Sequence, residues 1–427
     1  MKIYRYPEIK DWPSLMARPV LDTGSLDDLV RKVLQRVKNE GDQAVRDYTE
    51  EFDKVKLLDF AVSEEEKAEA ESLLSSELKN AIQLASENIR KFHEAQKPSI
   101  VEVETMPGVV CSQKAVPIEK VGLYVPGGTA PLFSTVLMMA IPAKIAGCSE
   151  IMLCSPPERG GKLNPAIVYA ANLSGIDKIF KIGGIQAVAA MAYGTETVPK
   201  VYKIMGPGNQ YVTAAKQLVS RQDVAIDMPA GPSEVAVLAD ESSNPVFIAS
   251  DLLSQAEHGP DSQVILISIS EDIIAKTQQE IEKQLAILPR KEFASKSLGH
   301  SKAFLVKDYD EMMKMVNAYA PEHLIISTSN ADYLAPEVKN AGSVFIGEYT
   351  PESAGDYASG TNHTLPTNGY ARVYSGVNLD TYCKKITFQK ITKEGLEKIG
   401  PAIEAMALAE DLTAHQRAVA LRLKDDK

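Results

Sequence analysis

The sequence predicts an α/β protein with two Rossmann-like parallel-sheet domains, one of them discontinuous, plus an N-terminal arm and a small helical C-terminal domain. Three observations carry that reading. Short apolar runs alternate with glycine or proline turns and helical patterns from about residue 118 to residue 346, the rhythm of βαβ units. The chain of 427 residues exceeds one ordinary core and suggests roughly two or three domains. The polar stretch beyond about residue 380 is too short to hold a core alone.

Composition narrows the class. A hydrophobic content of 44% and a charged content of 24% are those of a soluble globular chain. The net charge of −11 argues against a nucleic-acid partner, because phosphate binding needs a basic face and no lysine or arginine cluster is present. The most apolar long stretch, 136–148, is broken by Pro142 and Lys144, so no membrane span is expected. Residues 1–10 carry Arg5, Glu8 and Lys10 and lack the apolar centre of a signal peptide. Cys111, Cys148, Cys154 and Cys383 show no CxxC spacing, which predicts free thiols and a cytoplasmic setting.

In chain order, residues 1–23 hold three prolines and the only tryptophan, Trp12, and read as an arm that packs on another element. Within 26–48, Leu29, Val30, Val33, Leu34 and Val37 recur at helical spacing. Ser63 and Glu66 form a capping box for a helix expected to run to about Gln96, before Pro98. Strands follow at 120–125, 150–154, 178–182 and 201–205, each ahead of a turn: Gly127-Gly128, Pro156-Pro157, Gly183-Gly184 and Gly206-Pro207-Gly208-Asn209. They imply one parallel sheet, in a domain spanning 124–233. The alternation resumes at 235–238, 263–268, 303–306, 324–327 and 343–346. This second sheet is expected to join the preceding helices in a discontinuous domain of 24–123 and 234–379. Residues 380–427 read as a helical tail that must dock on another domain or subunit.

Few residues carry chemistry. Glu322 and His323 lie between a helical pattern over 310–319 and the apolar run 324–327. A carboxylate and an imidazole at a sheet edge suit proton transfer, the plain alternative being a surface pair. Gln255 and His258 share a helix face, whereas Glu257 points about a hundred degrees away. An imidazole beside an amide or carboxylate oxygen is half of a metal site; otherwise His258 simply meets the terminal carbonyls of a helix. The stretch 355–366 is dense in short polar residues and reads as a functional loop, with Asp356 as a hard oxygen ligand and His363 as a hydrogen-bonding group. Glu410 and His415 lie in the tail, where solvated surface is the plain reading. The glycine turns fall after strands, at the carboxyl edge where nucleotides bind, although none makes GxGxxG.

Side by side, these stretches resemble the histidinol dehydrogenase family over essentially the whole chain. The carrying motifs are 121–128, 205–209, 227–234, 255–259, 320–324 and 355–366, in that order. The resemblance implies a zinc site of Gln255, His258, Asp356 and His415, which selects Gln255 over Glu257. It implies substrate contacts from those four residues and from Ser233, Glu322, His323, His363 and Glu410, and NAD contacts at Tyr124, Gln186 and Asn209. The implied reaction oxidises L-histidinol to L-histidine with two NAD+ through a bound aldehyde, His323 acting first as base and Glu322 then activating water. It also implies a homodimer whose tails cross, so that Glu410 and His415 complete the neighbour's site. Two rivals stay open at this level: a relative acting on another amino or sulfonated alcohol, and a zinc-binding protein without turnover.

Overall fold

The computed structural model describes residues 1–19, 24–127, 131–221, 223–228 and 231–424. Gly128, Pro229 and Ala230 of the motifs, and the end of the N-terminal arm, lie outside the described residues. In chain order the strands are β1 (Lys2–Arg5), β2 (Val101–Met106), β3 (Val109–Pro117), β4 (Lys120–Tyr124), β5 (Glu150–Ser155), β6 (Lys178–Lys181), β7 (Lys203–Met205), β8 (Ala225–Ile226), β9 (Glu234–Ala239), β10 (Gln263–Ser268), β11 (Lys302–Leu305), β12 (His323–Ser327), β13 (Ser343–Ile346) and β14 (Cys383–Ile391). Two sheets are parallel throughout, a six-stranded one ordered β1-β11-β10-β9-β12-β13 and a five-stranded one ordered β6-β5-β4-β7-β8.

The expected βαβ rhythm produces both. Strands β9, β10 and β12 are buried at every residue, as strands covered by helices on both faces must be. Along β9, Val235 and Val237 face one core with Ile248 and Leu252 of the helix Pro245–Ala256. Ala236 and Leu238 face the other, with Trp12, Met312 and Val316, as the two-residue period of a strand requires. Burying each such Leu, Val or Met stabilises by roughly 1.5–3 kcal/mol. The described part of the N-terminal arm packs on the six-stranded sheet: β1 is an edge strand beside β11, and Trp12 is buried in the core beneath.

Three expectations need correction. The helices of the 24–94 region cover the five-stranded sheet, where Val30, Val33 and Val37 meet Ile185 and Val188, and Ile82 and Ile89 meet Val136 and Met139. They do not join the six-stranded sheet, because periodicity identifies an apolar stripe without naming the sheet it will cover. Those helices are also interrupted. Gly41 at φ 57° ends Gly24–Glu40 before Asp42–Tyr48, and the Ser63 capping box opens only Glu64–Leu73, after which Ser75 caps a second helix, Ser76–Glu94. Finally, the tail is not wholly helical. It begins with β14, which pairs antiparallel with β3 in a third sheet ordered β14-β3-β2 and leads into the helices Lys393–Ala409 and Thr413–Leu423.

Candidate active site

Topology brings the site together. The helix Pro245–Ala256 follows β9 and precedes the parallel strand β10, so its C-terminal end returns to the level where β9, β10 and β12 begin. Gln255 is buried there and His258 lies just beyond the helix. Glu322 and His323 open β12, with His323 in register with Val235 of β9 and Ser343 of β13. The pair therefore sits at the amino edge of its sheet, opposite to the carboxyl edge that open α/β sheets generally use. A short helix, Glu352–Tyr357, packs against Pro245–Ala256 and presents Glu352 and Asp356 four residues apart on one face. The expected loop 355–366 thus begins inside a helix.

Glu322 and His323 are buried, at 6% and 4% exposure, which removes the surface-pair reading. The Glu234 N–H donates to Glu322 Oε2 at 2.9 Å, and the Glu234 carbonyl lies 3.2 Å from His323 Nδ1. The Gln255 amide nitrogen lies 3.3 Å from Glu322 Oε2 and 3.2 Å from His323 Nδ1. Carboxylates approach His323 from both sides: Glu322 at 3.6 Å and Glu352 at 4.0 Å from Nδ1, Asp356 at 3.5 Å from Nε2. Donor atoms of His258, Glu352 and Asp356 lie within 4.8 Å of one another. His323 Nε2, Glu352 Oε2 and His363 Nε2 are buried without a hydrogen-bond partner, an expensive arrangement unless a ligand satisfies them.

The electrostatics follow from this crowding. Burial pushes the Glu322 carboxyl up to about 8 against the pull of His323. Burial alone would lower His323, but Glu352, Glu322 and Asp356 outweigh it and push the imidazole up to about 10. Burial would raise Asp356, yet the neighbouring imidazoles, His323 first, hold it below the ordinary carboxylate value. Desolvation lowers His363, and also His258, which is open to solvent at the mouth of the site but hemmed in by protein. Crowded carboxylates that hold protons among themselves make a pocket in which a cation could take the place of those protons.

A cleft of about 1030 Å³ adjoins the cluster, with Ser233, His258 and Gly259 on one wall and Asn209, Tyr211 and Gln217 on the other. It lies between the amino edge of the six-stranded sheet and the carboxyl edge of the five-stranded one. Asn209 Oδ1 accepts the N–H groups of Tyr211 and Val212, capping the helix Gln210–Val219. Before it, Gly206 at φ 122° packs so closely that a Cβ would lie 2.1 Å from the Tyr124 carbonyl oxygen. Tyr124 and Gln186 are buried beside one another: the Tyr124 hydroxyl accepts the Gly184 N–H at 3.1 Å, Gln186 donates to Asp53 at 3.1 Å, and Gln186 Oε1 has no partner. Glu410 and His415 are exposed on the tail. Among the described residues, no hydrogen bond or ion pair joins them to the cluster.

The fold and the site define an α/β enzyme with a buried cluster of carboxylates and imidazoles, set where two parallel-sheet units face each other. The chain belongs to the histidinol dehydrogenase family, which it matches over residues 16–423, and is an oxidoreductase of that family. It is 63% identical to histidinol dehydrogenase of Bacteroides thetaiotaomicron over 423 residues, 99% of both chains. It is 51% identical to that of Escherichia coli over 426 residues, 97% of each. The crystal structure of histidinol dehydrogenase from Elizabethkingia anophelis superposes with a TM-score of 0.97 at 55% identity, covering 99% of this chain and 98% of that one.

Several residues of the site escape sequence reasoning. Glu352 stands four residues before Asp356, a helical spacing hidden by the apparent loop. Asp251 lies four before Gln255 on the helix Pro245–Ala256, and burial pushes its carboxyl up to about 7. Glu234 acts through its backbone, which no side-chain pattern reveals.

Proposed function

We propose that the chain oxidises L-histidinol to L-histidine in two NAD+-dependent steps through bound L-histidinaldehyde, the closing reaction of histidine biosynthesis. The observation that carries this is the buried Glu322–His323 pair, set against Gln255, His258 and Asp356 in one pocket. Gln255, His258 and Asp356, with His415 from a second copy's tail, would hold zinc. These nitrogen and oxygen donors suit that ion, and the unpartnered buried atoms beside them are consistent with a missing charge. Zinc would supply orientation, fixing the imidazole and amino nitrogens of the substrate.

With Asp356 committed to the metal, the pull that raises His323 would weaken, and the neutral ring would take the hydroxyl proton as hydride leaves the alcohol carbon for NAD+. Glu322 would then take a proton from the water that attacks the aldehyde, giving a hydrate that loses the second hydride. One adjacent pair thus serves two successive proton transfers, each typically worth 10²- to 10⁴-fold in rate. Ser233 and His363 would bind substrate. Asn209, at the cleft, and Tyr124 and Gln186, at the same end of the sheet, would hold NAD, with the unpartnered Gln186 Oε1 as a fitting acceptor.

The chain would act as a homodimer in which Glu410 and His415 cross to the partner's site. Exposed apolar residues on the tail and its strand, among them Phe388, Met406, Leu408 and Leu421, support a partner there. Its four free cysteines suit the cytoplasm. Purified protein given L-histidinol, zinc and NAD+ should yield two NADH per substrate by absorbance at 340 nm. One NADH, or none, refutes the reading.

A further inference from the structure

We infer that Arg18 is a positioning residue for the acid–base pair: its guanidinium fixes both backbone segments that hold Glu322 and His323 in place. Arg18 comes from the N-terminal arm, more than 300 residues before the pair in sequence. Its Nε and Nη2 donate to Glu234 Oε1 and Oε2 at 2.5 and 2.8 Å, a forked pair in which the carboxylate side chain is 3% exposed. The Asn368 N–H donates to the same carboxylate at 2.7 Å. Arg18 Nη2 also donates to the carbonyls of Tyr319 and Ala320 at 2.9 and 3.3 Å, and the guanidinium lies 4.1 Å from the centre of the Tyr319 ring.

The two anchored segments are those the reaction needs. Glu234 is the residue whose N–H holds Glu322 and whose carbonyl faces His323. Tyr319 and Ala320 lead directly into Pro321-Glu322-His323, and Ala320 is held at φ 55°, where a residue with a side chain is strained. A planar fork that also stacks on an aromatic ring cannot be reproduced by lysine. One side chain therefore sets the spacing between the start of β9 and the turn before β12, and with it the aim of the carboxylate and the imidazole. Displacements of about 1 Å in such supports cost on the order of a hundredfold in rate.

This rests on the dehydrogenase reading, and the test separates the two. Arg18→Gln and Arg18→Lys are compared with the parent for turnover of L-histidinol, zinc content and thermal unfolding. In Arg18→Gln, kcat should fall about 10- to 100-fold while KM for L-histidinol and NAD+ changes less than about threefold. Arg18→Lys should recover only part of the loss, with zinc content retained in both. A folded Arg18→Gln enzyme with kcat within about twofold of the parent overturns the inference. If that variant does not fold, Arg18→Lys decides alone, and full activity there overturns it. If the parent does not oxidise L-histidinol, the dehydrogenase reading fails by itself. The clamp is then judged by diethyl pyrocarbonate labelling of His323, read by peptide mass spectrometry: faster labelling in Arg18→Gln supports it and equal rates overturn it.

Discussion

The Nε2 atom of His323 lies 3.5 Å from Oδ1 of Asp356, with no hydrogen bond between them. With its Nδ1–H donating to the Glu234 carbonyl, the neutral ring would keep the Nε2 lone pair for a substrate hydroxyl. His323→Asn should lower L-histidinol turnover by roughly 10²- to 10⁴-fold and affect oxidation of added L-histidinaldehyde less. Glu322→Gln should do the reverse. NADH formation from the two substrates checks this, and equal losses on both would contradict the division of labour.

Asp356 and His258 reach the same small volume. Asp356→Asn and His258→Asn should each purify with less zinc than the parent, by inductively coupled plasma mass spectrometry. Chelation should abolish parent turnover, and added zinc should restore it.

Glu410 and His415 stand exposed, and among the described residues no hydrogen bond or ion pair ties them to the cluster of their own chain. Inactive His415→Asn and His323→Asn proteins, mixed and allowed to exchange subunits, should regain about a quarter of parent activity, since half the dimers are hybrids with one intact site of two. No recovery would count against crossed tails.

Lys216 and Asp227 form a buried pair at 2.5 Å that braces the turn before Asn209. Lys216 also donates to the Gly206 carbonyl at 2.7 Å, and the Gly206 N–H donates to Asp227 at 2.7 Å. Lys216→Ala strands a buried charge and should cost about 3–5 kcal/mol, read by urea unfolding.

Asp240 joins the end of β9 to Tyr309 and Ser329, with hydrogen bonds of 2.8 and 2.9 Å. Burial opposes its charge, but donors from Ser242, Ser329 and Tyr309 bring its carboxyl down to about 2 from an ordinary 3.8. A depressed carboxyl contributes stability that is complete above its unfolded value and is lost as pH falls from about 3.8 through about 2. Asp240→Asn should therefore be less stable than the parent near neutrality, with the gap narrowing below pH 4. A gap that stays constant with pH would exclude this role.

The central parallel strands were legible because each is a short apolar run, and burial on both faces leaves that mark; β1 and β8, half-exposed at the sheet edges, carry no such run and were not. The proximity of Glu322 and His323 to a sheet edge was legible too, but the choice of edge was not, since it depends on where the returning helix Pro245–Ala256 ends. Gln255 and Glu257 look equally able to bind a metal as letters; only packing buries the first and leaves the second half-exposed at the helix cap. Glu352 and Arg18 stay hidden for a related reason. Each is an ordinary charged residue whose importance comes from partners hundreds of positions away or from a helix that reads as a loop.

The edge position of β1 also bears on how the chain is made. It ends at residue 5, and its partner β11 begins at residue 302. At roughly 5–20 residues per second, the first strand leaves the ribosome roughly fifteen seconds to a minute before anything exists for it to pair with. The segment from β1 to Arg18 is therefore synthesised well before β11 and cannot be seated until β11 emerges, so premature termination before residue 302 leaves it a bare strand edge open to aggregation.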